Sequence, residues 1–303
     1  MPARVRVAIA TVKIARYPTF EAFDRHMQLL ACQAKTAGAE LLLLPELLCV
    51  GLLWTCGTAA GTQIRGVATL YDEVLTPIFG DYQRLLSRLA VDSGLAICGA
   101  SFWHGEDGRF RNSGLVFDRD GRVLRQDKLH PTRAERAIET SGAEALIAFE
   151  LAGVKMGMAI CYDIEFPEVA RSLIDAGVEV ILVPSLTDER GHRRVRYCAH
   201  ARAIENQCFV CVSPLIGDLG IPLERPVRGH GAAFVACPVD NCFQITDGTY
   251  GEAEADREGL LHVELDLELL RRSRQRAEIR PLADRRHDLY ASLKPEVCVG
   301  KQP

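Results

Sequence analysis

An α/β fold is predicted by three features of the 303-residue sequence. The wholly apolar run Leu41 to Leu44 has the pattern of a strand buried on both faces, and Val178 to Val183 also reads as a buried strand. Stretches with helical apolar period flank them. The two halves also echo each other, segment 20–36 with strand 40–44 matching segment 168–176 with strand 178–183. Two similar sheets packed face to face with helices outside, a four-layer α-β-β-α sandwich, account for the echo. A doubly wound single sheet is the competing arrangement.

Taken in order, Arg4 to Val12 reads as a strand. Thr19 is placed to cap a helix in which Phe23, Met27, Leu30, Ala31 and Ala34 share one face, and Gly38 ends it. The buried strand Leu41 to Leu44 stops at Pro45-Glu46. After a Gly- and Thr-rich loop over 51–66, Asp81 to Ser93 reads as a helix and Leu95 to Trp103 as a strand. Ser113 to Phe117 and Val123 to Leu129 make a hairpin across Asp118-Arg119-Asp120-Gly121, where Asp-Gly supplies the turn chemistry. A charged segment, Thr132 to Ser141, leads into a second hairpin, Ala145 to Glu150 with Val154 to Ile160, across Ala152-Gly153.

That hairpin stops at Cys161, and Pro167, suited to a first helical turn, opens a helix that runs to Asp175 and is closed by Gly177. Val178 to Val183 is a strand and Arg193 to Glu205 a helix. Strands at Cys208 to Ser213, Gly231 to Cys237 and Leu260 to Leu265 precede a helix over Leu267 to Arg276. No linker divides the chain. It reads as one domain over 1–303, a core over 1–275 and a polar tail over 276–303 that packs on the core or on a partner subunit.

Composition narrows the function. With 48% hydrophobic and 25% charged residues the chain can bury a large core. A net charge of -4 gives no general cationic field, so neither nucleic acid nor an anionic membrane is expected as a partner. The basic runs at 190–196 and 271–276 read as solvated faces or ion-pair networks. Charges alternate through Met1 to Ala10 in a strand pattern, unlike a signal peptide, and no apolar run approaches the ~20 residues of a membrane span. Eleven cysteines, odd in number and spread without a repeat, suggest a reducing cytoplasm over a disulfide framework.

Three groups with chemical potential fall at predicted strand ends: Glu46, Lys128 and Cys161. A thiol needs a base to become a strong nucleophile, and an attacked carbonyl or nitrile needs donors at the oxygen or nitrogen that becomes negative. Together the three supply those roles with no metal or cofactor. Each also has an ordinary reading, as a loop cap, a surface lysine and a packed thiol, and their spacing in sequence says nothing about proximity. Cys208 and Cys211 have C-x-x-C spacing, but on a strand their thiols point to opposite faces, and Cys237 and Cys242 lack histidines at zinc-ligand spacing.

The ordered motifs Leu43-Leu44-Pro45-Glu46, Lys128-Leu129-His130 and Cys161-Tyr162-Asp163-Ile164-Glu165-Phe166-Pro167-Glu168 resemble those of the nitrilase superfamily of carbon-nitrogen hydrolases. Ala201 to Gln207, Gly229 to Pro238 and Arg285 to Tyr290 extend the resemblance over nearly the whole chain. It implies the α-β-β-α sandwich, usually paired into homodimers or higher assemblies. It also implies Cys161 as nucleophile, Glu46 as general base, and Lys128 with the Tyr162 backbone N–H holding the oxyanion. A second glutamate follows the lysine in such proteins; Glu135 is the candidate and Glu139 the alternative.

The expected reaction is hydrolysis of a small amide through a cysteine thioester, with carbamoyl compounds or nitriles as alternative substrates. A weakly catalytic binding member of the fold is the alternative of another class, and an acyltransferase a third. His130, beside Lys128, is placed either to reach the pocket or to serve a structural role. The segments around Lys128 and Arg193 resemble an uncharacterised branch of the superfamily more than its amidase, carbamoylase or plant nitrilase branches. Arg193, Arg133, Arg136 and Arg190 are candidates for contacting a substrate carboxylate.

Overall fold

The computed structural model describes residues 2–56, 67–221, 226–290 and 292. Residues 57–66 of the expected loop, and 291 and 293–303 of the tail, lie outside the described residues. Strands run in the spatial order 123–127, 109–117, 96–106, 41–43, 4–13, then 209–218, 180–185, 154–158 and 148–151. The inner strands of each half are parallel and the outer ones antiparallel. The halves join where Val12 and Lys13 pair with Leu215 and Ile216.

Side chains alternate across each inner strand, and this sorts them into layers. Leu42 and Leu44 pack outward with Phe23, Met27 and Leu30 of the Phe20–Thr36 helix and Leu86 and Ala90 of the Phe79–Ser93 helix. Leu41 and Leu43 point the other way, into a cluster with Met156, Met158, Val180, Leu182 and Phe209 of the second half. Ile181, Val183 and Val210 then face the helices Pro167–Asp175 and Glu189–Asn206 through Val169, Leu173, Val195 and Ala199. Three buried interfaces make four layers, the α-β-β-α sandwich. The sheets come so close that a Cβ at Gly114 would collide with Met158 Sδ.

The Thr19 cap, the buried face of the first helix, the Leu267–Arg276 helix and the hairpin across Asp118 to Gly121 are as the sequence predicts. Cys208 lies in the outer cluster and Cys211 in the inner one. Some boundaries differ. The strand expected from Ser113 begins at Arg109, because a turn at Asp107-Gly108, both at positive φ, pairs it back onto 96–106. The helix expected from Arg193 begins at Glu189, since the Asp188 carboxylate caps it by accepting from Gly191 N. Between strand and helix at 161–167, a 3-10 turn spans Cys161–Glu165. The strand Thr249–Glu252, not foreseen, pairs with Phe234–Ala236.

Beyond Arg276 the tail lies along the second half, where Leu282 packs against the outer cluster and Arg285 Nη2 bonds Asp175 at 2.7 Å. No helix among the described residues is long and apolar enough to cross a membrane.

Candidate active site

Each element of the site is delivered by the end of a strand. The apolar run Leu41–Leu43 carries the chain through the core to Glu46, whose side chain is 2% exposed. Lys128 follows the edge strand Val123–Asp127, its N–H held by Asn112 O at 2.9 Å. Cys161 follows Val154–Met158 in the opposing sheet. Packing the two sheets face to face therefore brings residues from distant parts of the sequence to one place.

There they form one buried cluster. Lys128 Nζ donates to Glu46 Oε1 at 2.7 Å and to Glu135 Oε2 and Oε1 at 2.9 and 3.1 Å. Asn112 Nδ2 donates to Glu46 Oε1 and to Glu135 Oε1, each at 2.9 Å. The remaining Glu46 oxygen accepts from Leu186 N at 2.8 Å. The remaining Glu135 oxygen accepts from Thr132 N at 2.7 Å, one half of a capping box on the Arg133–Arg136 turn. Glu139 is exposed, with φ of 59°, so Glu135 is the glutamate that joins the cluster.

Cys161 has φ of 50°, a left-handed conformation that a side chain with a Cβ rarely adopts. Its surroundings hold it there. Asp163 accepts from Ile160 N at 3.3 Å, and Arg202 donates to Ile164 O and Glu165 O, both at 3.2 Å, at the far end of the turn. Ser185 Oγ lies 3.4 Å from the Cys161 sulfur. Tyr162 sits in the first positions of this turn, where backbone amides have no acceptor within it. Asp163 also accepts from Leu129 N, His130 N and His130 Nδ1 at 3.1, 2.8 and 3.0 Å, tying the lysine segment to the cysteine turn.

The charges set distinct protonation tendencies. Burial lifts the Glu46 carboxyl above its ordinary range despite Lys128, and the Glu135 charge adds to the rise. Burial acts on Glu135 in the same sense, but there Lys128 and hydrogen bonds from Thr132 and Asn112 prevail and hold it below. Burial alone would lower Lys128; the two carboxylates outweigh it and keep the ammonium well above the ordinary lysine value. Burial pushes the Cys161 thiol up, the Glu46 charge pushes it further, and Lys128 and Ser185 oppose them. In direction, therefore, Cys161 and Glu46 favour their protonated forms, and Lys128 and Glu135 their charged ones.

Of the residues singled out in sequence, Glu46, Lys128, Glu135 and Cys161 come together, with Tyr162 adjacent in the chain. His130 is held by Asp163 and stacks on Phe166 at 3.7 Å. Arg193 is exposed on its helix and pairs with Glu189 at 2.7 Å, while Arg194 pairs with Glu165 and Arg196 with Glu252. Arg133 and Arg190 are exposed, and Arg136 donates to Pro131 O. Asn112, Ser185 and the bracing role of Asp163 escaped sequence reasoning. Ser185 follows an apolar strand run and Asp163 lies inside the cysteine motif, whereas Asn112, between Arg111 and Ser113, carries no signal.

A family model described as carbon-nitrogen hydrolase matches residues 6–275. The probable hydrolase YhcX of Bacillus subtilis is 33% identical over 288 residues, 94% of this chain but 54% of that protein, so the chain spans about half the length of that relative. The omega-amidase NIT2 of Xenopus tropicalis is 26% identical over 269 residues, covering 86% of this chain and 87% of the relative. A solved carbon-nitrogen hydrolase from Helicobacter pylori G27 shares the fold, with a TM-score of 0.77 at 21% identity over 95% of this chain and 97% of that one.

Proposed function

The chain belongs to the carbon-nitrogen hydrolase family, and on that premise we propose that it hydrolyses the C–N bond of a small non-peptide amide through a thioester on Cys161. The observation that carries this reading is the buried Glu46–Lys128–Glu135 cluster set beside a thiol on a strained turn. Amides are favoured over nitriles and carbamoyl compounds because a relative covering most of the chain is named an omega-amidase.

The raised Glu46 carboxyl is the group suited to receive the Cys161 proton as the sulfur attacks the carbonyl carbon. Lys128 stays protonated, so it serves as a donor to the developing oxyanion together with the Tyr162 N–H, and not as a base. Glu46 returns its proton to the departing nitrogen, and ammonia or an amine leaves. Water then attacks the thioester, giving its proton to Glu46, and the carboxylic acid is released as the thiol re-forms. Glu135 remains ionised throughout and holds Lys128 in place. The route uses no cofactor.

We read 1–303 as a single hydrolase domain, with the tail over 276–303 as an accessory to the core over 1–275. The protein works in the cytoplasm as a homodimer or higher homo-oligomer. The test is a panel of small amides, N-carbamoyl amino acids and nitriles, reading ammonia release and the intact mass of the protein. Release with amides, an acyl adduct on the chain, and loss of both in Cys161→Ala are expected. No release from any substrate and no adduct would overturn the assignment.

A further inference from the structure

We propose that Asn112 is a positioning residue of this site, keeping Glu46 fixed and ionised as the base for Cys161. The inference rests on the roles given above to Glu46 and Cys161. One residue does three things here. Its carbonyl oxygen holds the Lys128 backbone at 2.9 Å, and its side-chain amide donates to Glu46 and to Glu135, each at 2.9 Å. Lys128 Nζ bridges the same two carboxylate oxygens. Asn112 and Lys128 therefore close a ring with the two carboxylates, and without Asn112 that ring is held from the lysine side alone.

The orientation of the amide is fixed by its surroundings. Turned over, its oxygen would face two carboxylate oxygens, so the NH₂ must point at them. The consequence is that Asn112 Oδ1, in a fully buried residue, has no hydrogen-bond partner among the described residues. A buried acceptor left unpaired is uncommon and unfavourable for stability. A residue selected for packing would not be placed so; a donor required by two carboxylates would. Lys128, Glu135 and Cys161 are the charged or titratable groups acting on Glu46, and the Tyr71 phenol on the 67–74 helix is also within electrostatic reach.

The test needs no substrate. Iodoacetamide alkylates a thiol by forming an S–C bond as the C–I bond breaks; iodide leaves and, at this site, the thiol proton passes to Glu46. The rate of the mass increase on Cys161, with Cys161→Ala as background, is followed against pH. In the wild-type chain it rises as Glu46 ionises. Asn112→Ala removes a donor to the ionised form, so the midpoint moves to higher pH by about one unit and the rate at pH values below the wild-type midpoint falls roughly tenfold. Asn112→Ser, which keeps one hydroxyl donor, gives a smaller shift in the same direction and serves where the alanine variant does not fold. Asn112→Asp, which puts a third carboxylate beside the two, gives a larger one. Ser113→Ala, on the adjacent residue, leaves the midpoint unchanged. Folded Asn112 variants with the wild-type midpoint would overturn the proposal, whereas failure of every amide to turn over would count against the proposed function alone.

Discussion

Removing the cation from the cluster is the perturbation whose size the structure fixes best. Lys128 is 2% exposed and lies within 2.7 to 3.1 Å of oxygens on both Glu46 and Glu135. Lys128→Met keeps much of the volume and leaves two buried carboxylates facing each other with no counter-charge. Breaking a buried pair from one side costs about 3–5 kcal/mol. Unfolding entropy near the midpoint is about 2.1 cal/mol/K per residue, so for 303 residues a loss of this size lowers Tm by roughly 5–8 °C.

The loss also depends on pH, with a definite sign. Without the ammonium both folded-state carboxyls titrate above their unfolded values, so the stability linked to their protonation is present at low pH and lost as pH rises. The deficit relative to wild type therefore shrinks as pH falls, by about 1.4 kcal/mol per unit wherever the folded variant holds one extra proton. Urea melts of both proteins between about pH 5 and pH 8 measure it. Lys128→Met/Glu135→Gln, with one charge fewer, should recover part of the loss at neutral pH. A deficit below about 1 kcal/mol at neutral pH, or one that is the same at both ends of the range, would refute the reasoning.

Two further outcomes follow from the same geometry. The kcat/KM of the wild-type enzyme should fall on the acid side as Glu46 takes up a proton, at a midpoint above the ordinary carboxylate value, and should show no alkaline fall up to about pH 9 because Lys128 titrates well above its ordinary value. A pH–rate profile checks both limbs, and a descending limb near neutrality would mean that Lys128 does not stay protonated. Asp163→Asn places an amide where a buried carboxylate accepts from Ile160 N, Leu129 N, His130 N and His130 Nδ1. It should cost about 2–3 kcal/mol in a urea melt and at least tenfold in kcat/KM, since the lysine segment and the cysteine turn lose their common anchor.

What sequence reasoning could reach depended on whether a feature has a local signal. The Phe20–Thr36 helix was legible down to its buried residues because a 3.6-residue period and a capping threonine are both local. Glu46, Lys128 and Cys161 were legible as residues at strand ends, but their meeting is a property of two sheets packed face to face, which no spacing encodes. Glu135 required more: only the structure shows that its side chain both caps the Arg133–Arg136 turn and reaches Lys128. Asn112 had no signal, because one more polar residue between Arg111 and Ser113 in a hairpin is ordinary until its neighbours in space are known. The arginine-rich segment was legible as an ion-pair network, but its partners were not: three of its guanidinium groups are engaged by Glu189, Glu165 and Glu252, which lie far from one another in sequence.

The same distinction explains how two similar carboxylates on one lysine come to differ. Both are buried, and both accept from Lys128 Nζ and Asn112 Nδ2. The difference lies in the remaining oxygen and in the neighbours. Glu135 closes a capping box with Thr132, so its charge serves the first turn of a helix as well as the lysine, and these partners outweigh the burial that favours a proton. Glu46 sits deeper, accepts from one Leu186 amide, and feels the Glu135 charge. A buried ion cluster is a weak source of stability, and the proposed mechanism gives that asymmetry a use: one carboxylate holds the ammonium in place, while the other is the one assigned to exchange a proton with the thiol beside it.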